Sequence, residues 1–317
     1  MSDLTFDNQV AVVTGAGRGL GREYALLLAE RGARVVVNDI GGSVTGEGSD
    51  EGAATTTVHD IRDRGGKAIA DTHDVSTPET AQAIIDAALS EWGRVDILIN
   101  NAGFVGDAAF EDMTAERLNP LIDVHLKGAF FVTRPAWRLM KGQGYGRIVH
   151  TCSAAGLLGN ERMSNYGAAK TGLLGLTRVL AAEANGLDIK VNAVAPIAAT
   201  RMLAKSIESV AELGGAEASA AAQDVMKDLT EKLNPSLVAP VVAFLAHPEC
   251  PASGEIYTVG GGQVSRFFVG RTKGYFNPQL SLEDVQSHFE EIRDVANDTV
   301  PAGPADAMFE LLSVIGP

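Results

Sequence analysis

From Val10 to about Val259, short runs of β-branched residues alternate with longer stretches whose apolar residues recur at three- and four-residue intervals. The runs Val10–Val13, Arg34–Asn38, Lys67–His73, Asp96–Ile99, Arg147–Thr151, Lys190–Ala195 and Glu255–Val259 predict strands. Between them, Gly19–Arg31, Thr77–Gly93, Met113–Lys141, Ala168–Asn185 and Ser236–Ala246 predict helices. This alternation predicts an α/β fold: a doubly wound, seven-stranded parallel sheet with helices on both faces. Ligands in such sheets bind beyond the carboxyl ends of the strands.

Two stretches interrupt the rhythm. Gly41 to Gly52 carries five glycines between the second strand and its helix and predicts a mobile loop. Pro196 to Asn234 is rich in Ala and Glu and predicts a small helical lid over about 196–235. Beyond Gly260-Gly261-Gly262, Ser281–Asp294 predicts an amphipathic helix through Leu282, Val285, Phe289 and Ile292. The expected organisation is one domain over 1–262 and a C-terminal helical extension, 263–317, packing on that domain or on a partner subunit.

Composition narrows the partners. With 26 Lys+Arg against 40 Asp+Glu, the formal net charge is −14, which argues against nucleic acid. At 45% apolar and 21% charged residues the chain can bury a large core. The longest apolar run, Leu237 to Ala246, is about half a membrane span and contains Pro240, so no membrane span is expected. The first residues carry neither a basic nor an apolar region, so no secretory signal is expected. Two cysteines, Cys152 and Cys250, provide neither a disulfide framework nor a metal set, which fits a reducing, cytoplasmic compartment. The helices Met113–Lys141 and Ala168–Asn185 are apolar over much of their circumference, which points to further copies of the chain as partners.

The chemistry begins after the first strand, at Thr14-Gly15-Ala16-Gly17-Arg18-Gly19-Leu20-Gly21. Glycines at 15, 19 and 21 allow a tight turn and let a dinucleotide pyrophosphate reach the helix N-terminus, where unpaired N–H groups and the helix dipole favour anions. Asp39 stands eighteen residues past the last of them, at the end of the second strand. Its carboxylate can accept both ribose hydroxyls and would repel a 2′-phosphate, which predicts NAD rather than NADP. Arg18 pulls the other way if its guanidinium meets that phosphate; the alternative is a solvated side chain on a turn. Asp74, beside Val75, either bonds the adenine amine or caps a helix.

Tyr166 and Lys170 are four apart and share a helix face, with Ser153 thirteen residues upstream. A tyrosine pKa of ~10 leaves little phenolate at neutral pH; a neighbouring Lys170 cation together with a positive nicotinamide ring would favour phenolate, and a shift of ~3 units represents ~4 kcal/mol. Tyr166 could then exchange a proton with an alcohol while Ser153 holds the substrate oxygen.

Thr14 to Gly21, Asn100-Asn101-Ala102-Gly103, Ser153 and Tyr166-x-x-x-Lys170 together resemble the short-chain dehydrogenase/reductase family over residues 8 to about 262. The resemblance implies a Rossmann sheet, hydride transfer on a secondary alcohol, and a homodimer or homotetramer. It further implies cofactor contacts at Leu20, Val75, Asn101, Ala102, Gly103, Tyr166, Lys170, Pro196 and Thr200. His125 stands where the family's asparagine completes a catalytic tetrad; it either relays a proton through water or is a buried structural histidine. Val36–Gly42, Val124–Gly128, Arg201-Met202 and Arg271–Gly274 extend the likeness toward family members that oxidise (3R)-hydroxyacyl-CoA with NAD or act on a 17β-hydroxysteroid. Residues 256–282 hold Arg266, Arg271 and Lys273 without an acid; these either meet CoA phosphates or form salt bridges.

Overall fold

The computed structural model describes residues 4–205 and 229–315, so the alanine-rich part of the expected lid, Glu212 to Gln223, lies outside the described residues. The chain divides into two compact units, Met1–Arg266 and Phe267–Pro317.

The first unit is built on eight strands: β1 (Val10–Thr14), β2 (Arg34–Asn38), β3 (Lys67–Asp71), β4 (Ile97–Asn100), β5 (Tyr145–Thr151), β6 (Asp188–Pro196), β7 (Ile256–Gly260) and β8 (Gln263–Phe267). Their order is β3-β2-β1-β4-β5-β6-β7-β8, and the pairings from β3 through β7 are parallel. The helices α1 (Gly19–Glu30), α2 (Gly52–Asp63) and Ala239–Leu245 cover one face; α3 (Pro78–Trp92) and α5 (Gly128–Gln143) cover the other. Alternate residues of β1 serve the two sides. Ala11 and Val13 join Tyr24, Leu28, Ile61 and Val242, while Val10 and Val12 join Ile84, Ile85, Val132 and Met140. A strand buried on both faces needs apolar residues at every position, which is why β1 reads as an unbroken run.

Two expectations need correction. The sheet has an eighth strand: Gly261 and Gly262, at φ +56° and +83°, form a two-residue turn that folds β8 back antiparallel on β7. Its residues Gln263 to Arg266 are exposed and give no hydrophobic signal. The segment Met113–Lys141 is not one helix but α4 (Ala115–Leu121), a π-helical turn (Ile122–Lys127) and α5. Pro120 removes a backbone donor just before the wide turn. Within the glycine-rich loop, Asp50 N–H donates to the Ile40 carbonyl and Val105 N–H to the Val44 carbonyl, both at hydrogen-bond distance.

In the second unit, the segment expected as a single helix is two short ones, Leu282–Ser287 and Phe289–Arg293, the first opened by a capping box between Ser281 and Asp284. A third helix, Pro304–Ile315, follows. Arg271 pairs with Thr299 through the backbone and with Glu310 at 2.8 Å. Among the described residues no helix is long and apolar enough to cross a membrane.

Arg147 ties the far end of the sheet together. Its guanidinium is 1% exposed and donates to the carbonyls of Gly146, Asp188, His247 and Pro248 and to the Asp188 carboxylate at 2.9 Å. Truncation would leave several buried carbonyls unpaired. Arg147→Met is therefore expected to lower unfolding free energy by about 3 kcal/mol. Asp188→Asn, at a half-exposed acid, should cost well under that, and urea denaturation of both variants checks the order.

Candidate active site

At the carboxyl edge of the sheet the turn after β1 is locked to the end of β4. The Thr14 hydroxyl accepts the N–H groups of Asn101 and Ala102, and the Asn101 amide donates to the Thr14 and Gly15 carbonyls at 3.1 and 3.0 Å. A Cβ at Gly15, whose φ is +63°, would lie 2.7 Å from the Ala102 backbone, and one at Gly21 would lie 2.2 Å from the Gly15 carbonyl. Only glycine permits these approaches. The N-terminus of α1 carries neither a capping side chain nor an acid in its first turn, so its N–H groups face the cleft without a competing anion. That donor set fits the pyrophosphate of a dinucleotide.

Asp39 is held from two sides, accepting the N–H of Gly17 at 2.8 Å and of Gly41 at 2.7 Å. Arg18 is a partly solvated side chain on the turn, and its guanidinium pairs there with Asp50 at 2.5 Å. Asp74 is not the cap of α3, since Thr77 occupies that position. Its carboxylate instead accepts both the N–H and the hydroxyl of Ser76.

Ser153 begins the short helix α6 (Ala154–Leu158), its hydroxyl oxygen accepting the Ala155 N–H, and Tyr166 and Lys170 project from α7 (Ser164–Glu183). The Lys170 ammonium, 3% exposed, donates to the Thr151 carbonyl at 2.7 Å and lies 5.6 Å from the Tyr166 ring centre. Burial lowers its pKa to about 8. In the protein alone, burial raises the Tyr166 pKa and outweighs the opposing hydrogen bond with Ser153, so the phenolate expected with Lys170 and the nicotinamide ring is not favoured by the protein by itself. His125 occupies the π-helical turn beneath. Its Nε2 meets both the N–H and the carbonyl of Phe104, at 3.0 and 2.8 Å, and its ring stands edge-on to Tyr166. Burial and the Lys170 charge hold the imidazole neutral. A Cβ at Gly103 would lie 2.2 Å from the imidazole, so the glycine is required by the histidine.

One cleft of about 790 Å³ joins these groups. It is lined by Gly15, Arg18, Gly19, Leu20, Asp39, Asp74, Val75, Asn101, Ala102, Gly103, Ser153, Tyr166, Lys170, Pro196 and Thr200. Gly21 and His125 lie behind its wall: Gly21 against the Gly15 carbonyl, His125 beside a second cavity of about 10 Å³ that it shares with Lys170, Asn100 and Thr14. The cleft also takes in Met202, which contributes to the family likeness, and Val44, Gly46, Phe104, Val105, Asn160, Met163 and Leu203, which sequence reasoning did not assign to the site. The glycine run 41–48 was the available signal for Val44 and Gly46; Phe104, Val105, Asn160, Met163 and Leu203 have none. Arg266 and Arg271 are ion-paired, with Glu255 at 2.9 Å and Glu310 at 2.8 Å, so the salt-bridge alternative is the observed one. Among the described residues no cluster of His, Cys, Asp or Glu could hold a metal ion.

The sequence profile for short chain dehydrogenases matches residues 9–211. A Mycobacterium tuberculosis protein described as a short-chain type dehydrogenase/reductase is 43% identical over 291 residues, covering 91% of this chain and 95% of that one. Mouse peroxisomal multifunctional enzyme type 2 is 41% identical over 304 residues, covering 95% of this chain but only 38% of its own length. The solved structure of full-length peroxisomal multifunctional enzyme type 2 from Drosophila melanogaster superposes with a TM-score of 0.77 at 34% identity, over 98% of this chain and 50% of that one. The chain therefore spans half or less of the two multifunctional relatives.

Because the folded pKa of Lys170 lies near 8, below the ordinary value of 10.5, the native state binds fewer protons than the unfolded state between these values. Stability conferred at this site should thus rise with pH across that window. In urea titrations from pH 7 to 10, Lys170→Met should lack this increment, and an unchanged pH slope would show that the ammonium is not a buried charge.

Proposed function

The chain belongs to the short-chain dehydrogenase family, and from that premise we propose that it oxidises a (3R)-3-hydroxyacyl-CoA to the 3-ketoacyl-CoA with NAD. The carrying observation is the single cleft that runs from Asp39 and the glycine turn, past Ser153 and Tyr166, to an apolar wall of Phe104, Val105, Met163, Met202 and Leu203. The first end suits a dinucleotide and the last an acyl chain. Likeness to the multifunctional enzymes supports this substrate class.

The bound cofactor would supply the hydride acceptor. Its pyrophosphate would lie on the N–H groups at the start of α1, and its ribose hydroxyls on the lone pairs of Asp39 not already used by Gly17 and Gly41. Ser153 receives the Ala155 N–H, so its own hydrogen, which bonds Tyr166 in the protein alone, can turn to the substrate oxygen. Tyr166, in contact with Ser153, takes the alcohol proton as general base. Lys170, fixed on the Thr151 carbonyl, holds a positive charge next to the tyrosine and stabilises the phenolate as it forms.

His125 completes the set in this reading. If Nε2–H donates to the Phe104 carbonyl, Nδ1 is an acceptor; if Nε2 accepts the Phe104 N–H, Nδ1–H is a donor. In either tautomer Nδ1 has no protein partner. The 10 Å³ cavity between it and Lys170 is the size of one water, which could bond both the Lys170 ammonium and Nδ1, so the neutral imidazole would position a water beside the lysine rather than take up a proton itself. On the outer faces of α5 and α7, Phe130 and Val179 are exposed, which supports assembly with further copies of the chain.

The reading predicts turnover of a (3R)-3-hydroxyacyl-CoA with NAD at higher kcat/KM than of a 17β-hydroxysteroid; the reverse order would assign the apolar wall to a steroid. Tyr166→Phe should lower kcat about 10³-fold with NAD affinity by calorimetry unchanged. His125→Asn should retain more activity than His125→Leu, because only the amide can bond the cavity water. Equal losses would make His125 a packing residue.

A further inference from the structure

We propose that Asp50 is a specificity residue that keeps NADP out by occupying Arg18. The inference rests on the reading of Asp39 as the ribose partner of NAD. Arg18 lines the cleft and would otherwise be the cation best placed for a 2′-phosphate, since the neighbouring Gly17 N–H bonds Asp39. Its Nη2 is instead 2.5 Å from the Asp50 carboxylate, and its Nη1 is 3.5 Å from the Gly41 carbonyl. The fork is thus turned toward the glycine-rich loop.

The position of Asp50 is built. Its N–H donates to the Ile40 carbonyl, its Oδ1 accepts the Gly52 N–H at 3.0 Å, and its carbonyl accepts the Ala53 N–H. Gly41, at φ +74°, is a glycine because a Cβ there would fall on the Asp50 carbonyl. The loop between β2 and α2 therefore closes on itself and presents one carboxylate to Arg18. A 2′-phosphate arriving at Asp39 would meet two carboxylates and a guanidinium already neutralised, whereas a ribose hydroxyl carries no charge and is indifferent to Asp50.

The test compares NAD and NADP binding by calorimetry, and kcat/KM with each, in wild type, Asp50→Asn, Asp50→Glu and the double variant Arg18→Gln/Asp50→Asn. Asparagine retains an oxygen for the Gly52 N–H, so the loop stays closed. Freed from an exposed ion pair, Arg18 should tighten NADP binding about fivefold in Asp50→Asn while NAD affinity stays within about twofold. The gain should shrink in high salt, be absent from Asp50→Glu, and vanish in the double variant. Unchanged NADP affinity in Asp50→Asn, or a gain that survives Arg18→Gln, would overturn the proposal. A wild type that prefers NADP would instead remove the NAD reading, a result separate from the change between wild type and variant.

Discussion

One buried cation organises the carboxyl edge of the sheet. Lys170 holds an ammonium almost without solvent, bonded to the Thr151 carbonyl, and every group around it answers to that charge. A positive charge in a low-dielectric site disfavours a second one, so His125 and His150 are neutral; burial and Lys170 push the pKa of His150 down to about 3. His150 then acts as a polar neighbour of Asn100, which also bonds Thr133. The tyrosine above is pulled in both directions. Burial favours the phenol, and contact with Ser153 favours the phenolate. Ionisation of Tyr166 therefore depends on what else enters the cleft, a suitable property for a group that must both accept and return a proton.

The geometry that delivers Lys170 is shared with the geometry that receives a dinucleotide. Asn101 and Ala102 hold the turn after β1, and Gly103 makes room for His125, so three consecutive residues after β4 serve both halves of the site. The glycine-rich loop adds a second link. It starts at Asp39, carries Asp50 back to Arg18, and rests its middle on the wall opposite, through the Val44 carbonyl on Val105 and Gly46 on Phe104. Phe104 in turn is gripped at N–H and carbonyl by His125. A displacement of the loop would thus be transmitted to the apolar wall by direct contact.

Much of this was legible in the chain because the relevant signals are local. Strands buried on both faces must be continuously apolar, and β2 falls on the expected bounds for that reason. The glycine turn, Asp39, Ser153, Tyr166 and Lys170 announce themselves through spacing, since each stands at the end of a strand or on one helix face. What escaped depends on partners distant in sequence. The exposed strand β8 has no apolar alternation to betray it, and the π-helical turn at His125 follows from Pro120 and the packing of Gly103 rather than from any periodicity. The pairing of Arg18 with Asp50 needs a loop closed by Gly41, which composition alone reads as flexible. The burial that raises the Tyr166 pKa in the protein alone is hidden for the same reason: proximity to a lysine is visible in a four-residue spacing, but the depth of burial is not.

The acidic balance of the chain gives these local arrangements their weight. Arg18, Arg22, Arg147, Arg162, Arg266 and Arg271 are each paired with a carboxylate, so these guanidiniums are already committed before an anionic ligand arrives. Attraction for a pyrophosphate must then come from backbone N–H groups, whose partial charges act only at contact distance and only when aligned. That requirement explains why the turn after β1 is held so tightly by Thr14 and Asn101, and why Gly15 and Gly21 leave no space for a side chain. In a basic protein, imprecision in the loop could be offset by a diffuse positive field; at a net charge of −14 there is no such field, and recognition falls to shape.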